Sequence, residues 1–421
     1  MGKGIGMNIN MRIFSADKEA RYYINYALVI VFAVNAIFLP NDTFAIKKVS
    51  LILLLLLNVD SFLKIDGVET KILFIAGFFL TAFDIIWSII MTGNVIENLA
   101  IGYPGIIFLL YFIVKKYNIP FENIIIVLLS IMAYIITVSG ILDIIGIYPL
   151  DTNPLLMWLR NTDNAMVGKG NHLVTGMVIF LKASPMLVLC IPYFIKKKYF
   201  VKLAVCCCAL FFTGTRANIC MTIITIVICY FISCRREKKI LVIFMILIIS
   251  IAVCVQFNPY EYIKQKFEMK AGSDAVRSGT LTSILREWTE KPIELFTGGG
   301  FSKKFYNSGR GTYTNIVELS YWNLLRQVGV IPFFLLMFTY IYPVIYDLKN
   351  KRNDIMVIGY LAYLIISYTN PLLYSSTGIC AALLLSWCMG NPVCAGFPVC
   401  AFPFPYPPPK WCRRVSARRA L

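Results

Sequence analysis

The chain has 421 residues, 58% of them hydrophobic and 15% charged, with 40 Lys and Arg against 22 Asp and Glu. So much apolar surface excludes an ordinary soluble domain, which has no core large enough to hide it, but a bilayer can solvate it. The net charge of +18 sits in short basic clusters between apolar runs, so it reads as orientation in a membrane rather than as a nucleic-acid surface.

In chain order, a polar N-terminal stretch to Arg21 is followed by apolar runs long enough to cross about 30 Å of hydrocarbon. They predict helices over 22–39, 45–63, 71–91, 98–114, 122–147, 172–195, 199–213, 217–233, 240–256, 328–346, 355–370 and 373–389. The expected fold is therefore an all-α polytopic membrane protein with about twelve transmembrane helices. The second run has the shortest pure apolar core, and its Lys47 and Lys48 are expected to snorkel to the interface. With the N-terminus inside, the basic clusters at Lys64 and Lys71, Lys115 and Lys116, Lys196–Lys198, Arg235–Lys239 and Lys349–Arg352 all fall on the cytoplasmic side. That distribution supports both the count and the orientation, with Lys47 and Lys48 the main exception. No cleavable signal peptide is evident, since the first apolar run is long enough to span.

Two segments on the opposite side are long, Tyr148 to Asn171 and Phe257 to Gln327. Long loops translocate largely regardless of charge, so the ten Lys and Arg of the second do not disturb the topology. At 71 residues it is too long for a plain connector and is the candidate functional region. Short helices are expected over Tyr262–Lys270 and Leu281–Glu294, broken at Gly298–Gly300, and an amphipathic helix over Glu318–Gln327. After about Gly390 a Pro-, Cys- and Arg-rich tail follows, which cannot form a helix. The thirteen cysteines include no CxxC pair and the only histidine is His172, so no zinc or disulfide framework is expected.

Arg216 stands in Thr213–Gly214–Thr215–Arg216, a very short turn between two strongly apolar runs. A guanidinium is always charged and presents a planar fork of donors, so at the mouth of a helical bundle it suits a lipid-linked pyrophosphate. The bland reading is an interfacial charge or a structural ion pair. The large loop adds Arg277, Arg286, Arg310 and Glu318. Positioned cations can offset the charge that grows on a departing diphosphate, and a carboxylate can accept the proton of an attacking hydroxyl. Taken singly, each is more often a solvated surface residue. Lys182 and Asp84 fall inside the sixth and third runs, where charges usually face a partner or a cavity. They are expected to pair with each other or to line the headgroup cleft. His172 is a further candidate base.

Four stretches resemble the O-antigen and capsular repeat-unit polymerases, relatives of the O-antigen ligases. They are FFTGTRA at 211–217, DAVRSGTLTS at 274–283 with the glycines 298–300, ELSYWNLLRQVG at 318–329, and NPLLYSSTG at 370–378. The helix count and the loop between spans nine and ten also agree, so the likeness covers roughly residues 20 to 388, and the tail falls outside it. The resemblance implies an enzyme that moves a growing glycan from undecaprenyl diphosphate to the next lipid-linked repeat unit. It also implies inversion at the anomeric carbon, no metal or cofactor, and the bacterial cytoplasmic membrane with cytoplasmic termini. It places Arg216 and Arg277 on the pyrophosphate and leaves the base open; Glu318 as base, with Arg286, Arg310, Lys182 and Asp84 around the substrate, is the reading their own chemistry gives. A chain-length regulator is a possible protein partner, and no nucleic acid is involved. Glu318 stands about where the ligases carry a histidine, which favours polymerase over ligase. A lipid-linked oligosaccharide flippase is the rival of another class, but such transporters tend to show two related halves and short loops. A non-enzymatic membrane scaffold is the remaining alternative.

Overall fold

The computed structural model describes residues 4–42, 44–62, 65–169, 176–233, 271–350, 352 and 354–390. About three quarters of the structure is helical. Among the described residues, five helical stretches are long and apolar enough to cross a membrane: Glu19–Phe38, Val68–Thr92, Val95–Lys116, Phe121–Ile144 and Val330–Lys349. Only a helix or a closed barrel satisfies its backbone in hydrocarbon, and these runs take the first course. The ninth predicted run, 240–256, the helix expected at Tyr262–Lys270, His172 and the tail lie outside the described residues.

Helix α1 (Gly4–Phe38) packs against α2 (Ile46–Leu57). Asn25 and Asn58 exchange amide hydrogen bonds across the pair, at 3.3 and 2.6 Å, so neither buried amide is left dry. Lys47 of α2 does not snorkel. It is fully buried and donates to the Pro40 carbonyl at 2.6 Å and to Ser376 Oγ at 3.1 Å, near the chain's own polar groups rather than solvent. Helix α3 (Val68–Thr92) carries a π-helical turn at Ile75–Leu80, where Thr81 Oγ1 takes the Ala76 carbonyl at 2.7 Å. Helix α4 (Val95–Lys116) is capped by Asn94, which accepts from Glu97 N at 3.1 Å. It tightens to 3₁₀ geometry over Tyr103–Leu109, around Pro104. Helix α5 is Phe121–Ile144.

The sixth predicted span is corrected. The short helix α6 (Pro154–Asn161) leads into strand β1 (Ala165–Lys169), which pairs antiparallel with β2 (Met177–Leu181). Only then does helix α7 form, over Ser184–Leu189 and Cys190–Lys197. The run Met-Val-Ile-Phe-Leu is β-branched and aromatic, and Gly176 before it has φ +65°, so the chain turns instead of continuing a helix. Lys169 ties the hairpin to α5 through Asp143 at 2.8 Å.

Helices α8 (Phe200–Phe212) and α9 (Arg216–Ser233) follow, joined by the turn that holds Gly214. The loop region, from 271 on, contains α10 (Ala271–Glu290), α11 (Pro292–Thr297), a hairpin of β3 (Phe305–Asn307) and β4 (Thr312–Thr314), and α12 (Ser320–Val328). The helix expected over Leu281–Glu294 thus starts ten residues earlier and breaks at Pro292, which has no N–H to continue it. The chain ends with α13 (Val330–Lys349), α14 (Met356–Ser367) and α15 (Ser376–Gly390).

One large apolar core joins the bundle helices, while Ile284, Trp288, Phe305, Val317 and Leu319 form a separate small core under the loop region. Helix α13 starts beside the loop region at Gly329, and its far end meets the turn before α14 where Asp354 N donates to Asp347 at 3.4 Å. Lys196 pairs with Asp354 at 3.2 Å, so the turn after α7 shares that far end. The loop-bearing end, opposite, receives the start of α9 and the turn 368–375.

Candidate functional site

The loop region is held by Arg326, whose side chain is 1% exposed. Its guanidinium donates to the carbonyls of Lys303 (3.2 Å) and Asn315 (3.1 Å) and lies 4.5 Å from the centre of the Phe305 ring. Burial pushes its pKa down to about 10, while Glu287 and Glu294 pull it up, so it stays charged at neutral pH. Lys303 bridges Glu287 at 2.6 Å and also pairs with Glu294. The polar residues Ser320, Asn323, Arg326 and Gln327 of α12 are thus all buried.

The glycines at 298–300 dock this unit on the bundle. Gly299 N and Gly300 N each donate 2.9 Å bonds to carbonyls at the end of α12. Gly298 has φ +77°, and a Cβ there would lie 2.5 Å from the Gln327 carbonyl oxygen, so only glycine fits. Beyond it, Phe301 N donates to Ser88 Oγ (3.1 Å) and Ser302 N to Asn98 Oδ1 (2.9 Å), seating the turn between α3 and α4. On its other side α12 meets the 368–374 turn, where Ser320 donates to the Asn370 carbonyl, and α14, where Tyr321 donates to the Leu364 carbonyl at 2.9 Å.

This docking brings three distant arginines together. Arg216, the first residue of α9, places Nη2 2.7 and 2.9 Å from the two oxygens of Asp274 on α10. Arg277, one turn along α10, reaches Asp274 Oδ1 at 3.2 Å and Glu318 Oε2 at 3.4 Å. Arg310, in the β3–β4 turn, pairs with Glu318 Oε1 at 2.9 Å. The hairpin is pressed onto α10: Thr280 Oγ1 donates to Asn307 Oδ1 at 3.0 Å, and a Cβ on Gly309 would lie 2.1 Å from the Val276 carbonyl. The result is a chain of alternating charges, Arg216–Asp274–Arg277–Glu318–Arg310, partly open to solvent. Hydrogen bonding from Arg216 is the main influence holding the Asp274 carboxyl below its ordinary range, with Arg277 adding to it.

Next to this cluster lies an apolar groove of about 690 Å³. Its walls include Ala217 and Met221 of α9, Tyr321 of α12, and Leu361, Leu364 and Tyr368 at α14. Ala217 directly follows Arg216 and Tyr321 stands three residues after Glu318, so the charged and apolar parts are neighbours.

Three of the other residues singled out in the sequence lie elsewhere. Arg286 pairs with Glu290 at 2.8 Å, both well exposed. Lys182 sits in the turn after β2, not inside a span, and pairs with Asp163 and with Asn41 Oδ1, each at 3.1 Å. The expected Lys182–Asp84 pair does not form, because the hairpin replaces the first half of the sixth span. Asp84 is 2% exposed on α3, and its Oδ2 has no hydrogen-bond partner among the described residues. Asp274, Tyr321 and Arg326 lie in the stretches that carry the resemblance, but none stands out as a site residue from the sequence alone. For Asp274 a signal existed, since its spacing from Arg277 is the i,i+3 of a helical ion pair. No protein-family model matches the chain, and no curated protein matches it.

Proposed function

We propose that the chain is an oligosaccharide repeat-unit polymerase of the bacterial cytoplasmic membrane. In this reading about twelve spans place both termini in the cytoplasm and residues 257–327 on the outer face. The observation that carries it is the gathering of Arg216, Arg277 and Arg310 beside an apolar groove. A lipid diphosphate has the matching two parts: an anionic head for the guanidinium forks and an isoprenoid chain for the groove. The groove is walled by α9 and α14, and the reading has the lipid chain lie between them.

The chemistry assigned to the site is a displacement at the anomeric carbon of the donor. The bond from that carbon to the diphosphate oxygen breaks, and its electron pair leaves with the diphosphate. The arginines offset that growing charge. A hydroxyl oxygen of the next lipid-linked repeat unit forms the new bond, and its proton passes to a carboxylate. Glu318 is the residue assigned to accept it, once one of its oxygens is released from Arg277 or Arg310. Asp274 is the poorer base, because Arg216 favours its ionised form.

The test is the length distribution of surface glycan from cells carrying variants of the chain. Arg216→Ala and Arg277→Ala should each lower polymerisation by about a hundredfold or more, at normal protein abundance, leaving glycans of a single repeat unit. Full-length ladders from both variants would remove the assignment. A strain lacking the chain separates the rival classes: loss of a polymerase leaves one repeat outside, loss of a flippase leaves none, and loss of a ligase leaves unattached long chains.

A further inference from the structure

We infer that Asp274 is an internal competitor for the diphosphate: its carboxylate occupies the seat between Arg216 and Arg277 that the substrate's phosphate must take. This rests on the anion-site reading above and adds a regulatory element to it.

Both oxygens of Asp274 face Nη2 of Arg216, at 2.7 and 2.9 Å, and Oδ1 also accepts from Arg277 at 3.2 Å. Oδ1 thus bridges two neighbouring guanidinium groups, a position that a phosphate oxygen can also take on arginines. The Asp274 side chain is 51% exposed, while those of Arg216 and Arg277 are 20% and 29% exposed. The carboxylate is thus the party open to solvent, and the guanidinium groups are the more enclosed ones. An ion pair this open to water is weak and readily exchanged. A diphosphate carries more negative charge than a carboxylate and offers more acceptor oxygens, so it can displace Asp274 where a singly charged anion competes poorly.

The contact also links two separate parts of the fold. Arg216 opens a bundle helix and Asp274 lies on the first helix of the loop region, 58 positions away in sequence. With the seat filled by Asp274, α10 is latched to α9. When a diphosphate fills it, that latch is open and Arg277 remains to face the ligand. The carboxylate thereby sets a threshold: it keeps the arginines neutralised while no substrate is present and selects for multiply charged heads.

The experiment measures equilibrium binding of farnesyl diphosphate and of inorganic pyrophosphate to the full-length protein in detergent. It compares the wild type with Asp274→Asn, Asp274→Ala and Arg216→Ala. Removing the carboxylate should tighten both probes by about fivefold, and by the same factor, because it competes with the phosphates and not with the isoprenoid chain. Asp274→Asn and Asp274→Ala should agree, and Arg216→Ala should weaken both probes. Unchanged or weaker binding in the Asp274 variants, with binding still dependent on Arg216, would overturn the competitor role and leave the anion site standing. Binding indifferent to Arg216 would overturn the anion site itself.

Discussion

Arg326 and Asp274 carry opposite lessons about single charges. Arg326 is the largest fully buried side chain among the described residues, and it serves structure: its donors reach backbone carbonyls of the loop region from within. Removing one partner of a buried charged network destabilises by about 3–5 kcal/mol, since the remaining groups stay desolvated. Arg326→Met should therefore expose the loop region to protease and lower its thermal unfolding midpoint in detergent. Arg326→Lys should rescue only in part, because an ammonium cannot make the same fork. Protease resistance equal to wild type in Arg326→Met would contradict this role. The arginines of the candidate site were legible in the sequence as charges in a loop and a turn, but their grouping was not. Arg286 shows why. It stands nine positions from Arg277 on α10, about half a turn off around a 3.6-residue helix, and so faces the other way. Asp274 stands three positions away and shares the face.

At the scale of elements, the hairpin β3–β4 delivers Arg310 to the cluster by close backbone contact. Gly309 lies against the Val276 carbonyl and Gly279 against Gly309, so α10 and the hairpin touch with no side chain between them. Gly309→Ala must push the hairpin off α10 and draw Arg310 from Glu318. We expect it to shorten the glycan about as severely as Arg310→Ala, with normal membrane abundance. Gly168→Ala, where a Cβ meets nothing within 4 Å, is the control and should leave the ladder unchanged. Glycan of normal length from Gly309→Ala would contradict the account. The misread sixth span belongs to this scale as well. An apolar run of strand length cannot be told from a buried helix by periodicity alone, and the deciding signals were Gly168, Gly170 and Gly176 around it. Pro292 was likewise a visible stop inside an expected helix.

For the whole molecule, hydropathy predicted where most helices lie, because the bilayer requirement acts on every backbone group. It was less informative about length. Several bundle helices are short, α2 and α14 having 12 residues each, about 18 Å of rise. Of the two lysines that break the expected basic-side pattern, Lys48 pairs with Asp42 at 3.6 Å and stays partly exposed, while Lys47 is buried. Lys47 is a buried donor to Pro40 and Ser376, so in the folded chain it is not a solvated charge. Lys196 and Arg352, by contrast, gather at the end away from the loop region, where Lys196 meets Asp354 and Arg352 meets the Met389 carbonyl. The arginine cluster serves a lipid diphosphate on the outer face only if the loop region stands there. Labelling of Ala275→Cys, beside the cluster on an exposed position of α10, by a membrane-impermeant maleimide in intact cells tests this most directly. Signal above the parent chain before the membrane is permeabilised, and no greater afterwards, is the predicted result. Signal that arises only after permeabilisation would put the cluster on the cytoplasmic side and contradict the proposed polymerase.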